Sequence, residues 1–95
     1  MREIILDGSK WASSDDLYEA FLAAVGAPPW HGHNFNALRD SIAVGNINAV
    51  EVPYLIKIKN CGSIGVGAAD VAKSFVDLIK ELRRSGVPVD IELDQ

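Results

Sequence analysis

The chain has 95 residues, 48% of them hydrophobic, with nine Lys and Arg against thirteen Asp and Glu and a formal net charge of −4. That length suits one domain over residues 1–95, with a modest core that needs neither disulfides nor a metal. The composition leaves no basic stripe for a phosphate backbone, no stretch apolar enough to span a membrane and, with Cys61 alone, no internal disulfide framework.

Met1-Arg2-Glu3 leads straight into a strand-like run without a signal-peptide pattern, so the expected compartment is the cytoplasm. Glu3-Ile4-Ile5-Leu6 reads as a buried strand that Asp7-Gly8 ends. Ser13-Ser14-Asp15-Asp16 opens a helix with a capping-box-like Ser13 and Asp16 pair. Leu17, Tyr18, Phe21 and Val25 give that helix its buried face, and Gly26 and Pro28 stop it. A loop and second helix follow, to about Ala43. Tyr54 to Lys59 is the next strand. The third helix runs from about Ala68 to Ser85, with Ala72, Phe75, Val76, Ile79 and Leu82 inward and Gly86 beyond its end. Val89, Ile91 and Leu93 alternate with Asp90 and Glu92, which predicts a last strand with one wet face. Strands alternating with helices predict an α/β fold: a three-stranded parallel sheet packed with helices.

The stretch Trp30-His31-Gly32-His33-Asn34-Phe35-Asn36-Ala37-Leu38-Arg39-Asp40-Ser41-Ile42 carries the functional signal. Asn34 is a good N-cap, because its side-chain oxygen can accept from a free first-turn N–H. Phe35, Leu38 and Ile42 share one helix face, while Asn36 and Asp40 stack on the opposite one with Arg39 on the flank. A bulky aromatic, a turn glycine and a carboxylate held outward on a short helix suit recognition better than core building. The acidic balance suits a basic protein partner, with complementary potentials speeding the encounter. An exposed acid such as Asp40 is, equally, the ordinary content of a helix surface.

These residues resemble the binding loop and second helix of the barstar family, protein inhibitors of ribonucleases such as barnase. The family pattern is an aromatic pair, Gly, any residue, Asn, a hydrophobic residue, Asp, Ala, Leu, Trp, Asp. The chain matches it at Trp30, Gly32, Asn34, Phe35, Ala37, Leu38 and Asp40. It departs at His31 (the second aromatic), Asn36 (usually Asp) and Arg39 (usually Trp). Glu51-Val52-Pro53 before the middle strand and Glu81 before the Gly86 turn extend the likeness over nearly the whole length. The connection from Ala43 to Ala49 is longer than the family pattern and lacks a counterpart to a Trp that some members carry.

The resemblance implies the same three-stranded parallel fold and a cis peptide bond between Val52 and Pro53. It implies an inhibitor, not an enzyme, that is monomeric when free and uses no cofactor. The implied partner is a small secreted guanyl-specific ribonuclease, and neither nucleic acid nor membrane. The implied partner-binding residues are Trp30, His31, Gly32, Asn34, Asn36, Arg39, Asp40 and Glu81. In such inhibitors the acid matching Asp40 takes the place of a substrate phosphate. Arg, Lys and His gathered around a scissile phosphate would donate charge-assisted hydrogen bonds to it.

Other readings stay open at this point. Gly62-Ser63-Ile64-Gly65-Val66-Gly67 follows a strand and opens a helix, as a phosphate- or nucleotide-binding turn would. It is neither Gly-x-Gly-x-x-Gly nor a Walker loop. The fold could also serve as an immunity protein against a toxin that is not a ribonuclease. His31 and His33 supply two ligands where zinc needs three or four, so no metal site is expected. Cys61 has no placed His that would make it a catalytic thiol.

Overall fold

The structure, a computed structural model, describes residues 2–95. Met1, the start of the run read above, lies outside the described residues. The order is β1 (Arg2–Asp7), α1 (Ser14–Ala24), α2 (Phe35–Ala43), β2 (Tyr54–Lys59), α3 (Val66–Arg84) and β3 (Val89–Leu93). Two short 3-10 turns, Gly8–Lys10 and Cys61–Ser63, follow the first two strands. The sheet runs β1-β2-β3 with both pairings parallel, as the strand–helix alternation predicts.

Register sets the layers. Ile4, Ile56 and Ile91 lie in one cross-strand row, and all three are buried. Leu6, Tyr54, Ile58 and Val89 complete the inner face, against which α1 and α3 pack. Leu17 and Phe21 from α1, with Val25 just past its end, meet Phe75, Ile79 and Leu82 from α3 in one core cluster. Phe21 crosses Phe75 edge-on, with ring centroids 5.2 Å apart. Such aromatic pairs add to the burial of their area.

The helices lie on one side only, which corrects one expectation. Ile5, read as part of a buried strand, is 55% exposed. Leu93 belongs to the inner-face row of Leu6 and Ile58 but is exposed at the end of β3. Parallel sheets usually have both faces covered; here the outer face carries Glu3, Lys57, Asp90 and Glu92 at alternate positions. Lys57 Nζ reaches Glu3 Oε2 at 2.9 Å across β1 and β2. The outer face is therefore solvated by charge.

Local chemistry fixes the ends. The Asp16 carboxylate accepts from the Ser13 and Ala12 N–H groups, closing the start of α1. Its hydrogen bonds hold the carboxyl below the usual carboxylate range. Gly26 ends α1 at φ +66, where a side chain is strained. Ala49 N donates to Gly26 O at 3.2 Å and Val50 N to Val25 O at 2.9 Å, so the long connection after α2 folds back onto the end of α1. The Val52–Pro53 bond is cis, as the resemblance implies.

Candidate partner-binding surface

The loop between α1 and α2 places its two histidines in opposite surroundings. His31, one of the implied partner-binding residues, is only 7% exposed. Its Nδ1 lies 2.9 Å from Gly32 O. A carbonyl can only accept, so Nδ1 carries the proton. The backbone turns at this point, with His31 N donating to Pro28 O at 3.0 Å. That turn folds the ring inward while Trp30, one residue earlier, projects at 74% exposure. His33 instead stacks on Tyr18 of α1, with centroids 5.7 Å apart, and its Nδ1–H donates to Asp15 Oδ1 at 3.2 Å. Phe35 leans on the same Tyr18 ring. The loop is thus pinned to α1 by two rings and one polar contact.

Helix α2 starts where Asn34 caps it: Asn34 Oδ1 accepts from Ala37 N at 2.8 Å. A side chain on Gly32 would meet Asn34 Nδ2 at 2.8 Å, so the glycine leaves room for the cap. Leu38 and Ile42 are buried and Phe35 is half-buried. Asn36, Asp40 and Val44 recur every four residues on the opposite side, and all three are exposed. The Asp40 carboxylate accepts no side-chain hydrogen bond and joins no ion pair among the described residues.

Arg39 behaves differently. Its Nη1 donates to Glu81 Oε1 at 3.1 Å and its Nη2 to Glu81 Oε2 at 3.2 Å. That two-pronged contact ties α2 to α3. The Arg39 hydrogen bond holds the Glu81 carboxyl below its ordinary range, and Glu81 raises the guanidinium. Glu81 lies on the exposed side of α3 but is paired within the chain. Asp77, one turn earlier, joins Phe35, Arg39, Ser74 and Glu81 around a shallow depression of about 190 Å³.

Among the expected residues, Trp30, Asn36 and Asp40 stand outward. Gly32 and Asn34 build the turn and cap beneath them. Arg39 and Glu81 form the border with α3, and His31 lies inside. Sequence reading passed over Val44 and Asp77. Val44 had a signal, its four-residue spacing from Asp40; Asp77 reaches the surface only through the packing of α3 on α2.

Three N–H groups of the Gly62–Gly67 turn, and that of Cys61 just before it, bond within the chain. Cys61 N donates to Asp94 O, Ser63 N to Asn60 O, Ile64 N to Cys61 O and Gly65 N to Trp11 O. A side chain on Gly65 would lie 2.8 Å from Trp11 O, and one on Gly67 2.4 Å from Ala12 O. These glycines admit a close backbone approach. That accounts for the motif without a phosphate.

Fold and surface define an α/β protein that displays its polar chemistry on a helix and loop instead of enclosing it in a cleft. The family model described as Barstar (barnase inhibitor) matches residues 1–94. The chain belongs to the barstar family. Membership implies a role as an inhibitor of a barnase-type ribonuclease, a protein partner; the family's members are inhibitors and not enzymes. Comparison with curated proteins gives no match. No helix among the described residues is long and apolar enough to cross a membrane.

Proposed function

We propose that this protein, as one domain over residues 1–95, inhibits a small secreted guanyl-specific microbial ribonuclease in the cytoplasm of the cell that makes it. It acts as a monomer, without a cofactor, and catalyses nothing. The observation that carries this reading is Asp40: an outward carboxylate with no hydrogen-bond or ion-pair partner among the described residues, on a helix capped at one end and pinned to its neighbours. Inside a ribonuclease cleft, Asp40 meets the cations that hold the scissile phosphate. It accepts their charge-assisted hydrogen bonds and cannot be cleaved. Trp30 anchors the loop side of the contact, as exposed Trp residues do at interface centres. Asn36 and Val44 extend the contact along α2. Gly32 and Asn34 shape the loop, and Arg39 and Glu81 form its edge. His31 supports the loop from within.

The test is an inhibition assay against a panel of small microbial ribonucleases, run with the parent and with Asp40→Ala. Inhibition of at least one member, lost in the variant, supports the reading. Inhibition of none sinks it. A second reading, immunity to a toxin that is not a ribonuclease, is favoured by Asn36 and by the Arg39–Glu81 pair, which both reduce the acidity of the face. Failure across the whole panel would point there.

A further inference from the structure

Arg39 and Glu81 are 42 residues apart in the chain and meet beside Asp40. Their side chains remain 42% and 52% exposed. An exposed pair of this kind contributes little to folding. Its effect on the surface potential is larger. The pair removes Glu81 as a free acid and sets a fixed cation one residue from Asp40. Both changes lower the negative potential that draws in a basic cleft. Glu81 takes only two of the guanidinium N–H groups, so the others can still donate.

We propose that the Arg39–Glu81 pair is a specificity filter on the inhibitory face. It disfavours a ribonuclease whose cleft rim is basic opposite α3 and favours one that brings a carboxylate to Arg39 while its cations meet Asp40. In the free protein Arg39 occupies the place on Glu81 that a partner's Lys or Arg would take. A basic rim must therefore displace an internal cation. An acidic rim can bind the same cation where it stands. This rests on the ribonuclease-inhibitor reading and narrows it to one class of partner. The rival account is that the pair only pins α2 to α3.

Barnase is the first probe, read by association rate, Kd and their dependence on salt, with Arg39→Gln and Glu81→Gln beside the parent. Each change breaks the pair, so simple pinning moves both variants in the same direction. The filter moves them in opposite directions. Arg39→Gln binds barnase at least about tenfold tighter, with faster association and a steeper salt dependence, whereas Glu81→Gln binds it more weakly. Against the ribonuclease of the panel that the parent inhibits best, Arg39→Gln weakens binding by about tenfold. Three results overturn the filter: both variants shifting the same way on barnase, no gain on barnase with Arg39→Gln, or barnase itself being the best-inhibited member. Urea midpoints close to the parent's confirm that both variants are folded. Asp40→Ala, measured in parallel, reports on the inhibitor reading alone. The sign of the Arg39→Gln effect reports on the filter alone.

Discussion

Asp40 and Asn34 stand six residues apart and separate binding from stability. The Asp40 carboxylate has no side-chain hydrogen bond or ion pair among the described residues, so Asp40→Ala should leave the stability measured by urea unfolding within about 0.5 kcal/mol of the parent. Once desolvated against cations, the same group matters far more. Its removal should cost about 2–5 kcal/mol of binding, mostly as faster dissociation. It should exceed Trp30→Ala, Asn36→Ala and Glu81→Ala in that measurement. Glu81→Ala should cost about 1 kcal/mol or less, because the site is exposed and screened. Asn34→Ala should do the reverse of Asp40→Ala. It strips the acceptor from Ala37 N and should lower stability by about 1 kcal/mol in urea unfolding. Near-parent dissociation of the Asp40 variant would mean that phosphate mimicry does not carry over to this protein.

At the scale of elements, local pattern accounted for most of what was read. The alternation of β2, the cap of α2 and the inward stripe of α3 are each written within a few residues, and β2 and the end of α2 fall where the pattern put them. Helix α3 begins earlier than read, at Val66, because Gly65 N is held by Trp11 O from a distant turn. The 3-10 turn after β1 was missed, although Asp7 Oδ1 accepting from Ser9 N at 3.0 Å is a local device. Ile5 was misplaced for a different reason. An apolar run shows that a strand can be covered on both faces, not that a second layer exists. His31 and His33 have the same local setting and separate only through packing. Arg39 and Glu81 meet through tertiary structure alone. The Gly65–Gly67 segment tests the packing account of its glycines. Gly67→Ala should lower stability by about 1–3 kcal/mol, since the new Cβ would press on Ala12 O. Inorganic phosphate should not shift its melting temperature or the parent's. A phosphate-induced shift of several degrees in the parent, lost in the variant, would restore the phosphate-turn reading.

The whole molecule has one apolar interior and one sheet face left to water. That face is tenable because Lys57 stands between acids on both neighbouring strands. Glu3 and, more weakly, Glu92 raise its ammonium. The strand ends are tied in a similar way by Asp7. Its carboxylate accepts from Asn60 Nδ2 at 2.9 Å and Ser9 Oγ at 2.7 Å, which holds β1 to the left-handed turn after β2. The Asn60 and Ser9 hydrogen bonds bring its pKa down from 3.8 to about 2. A depressed carboxyl stabilises the fold above its unfolded value, and that contribution is lost as pH falls through the folded value. Stability should therefore decline between pH 3.8 and about 2 in part through Asp7. Asp7→Asn should flatten that part of the curve when urea midpoints are followed across the same range. An unchanged slope would remove Asp7 from the acid response.

The two tryptophans occupy opposite extremes: Trp11 is 3% exposed within the core, and Trp30 projects into solvent at 74%. The chain therefore carries two built-in optical reporters with separate subjects. Iodide should quench only the Trp30 share of the emission in the native protein. Binding of a partner over the loop should shield that share and shift it to the blue while leaving Trp11 unchanged. Unfolding should instead expose Trp11 and shift its emission to the red. One fluorescence titration, repeated with Trp30→Phe, can thus distinguish docking from loss of structure without an added label.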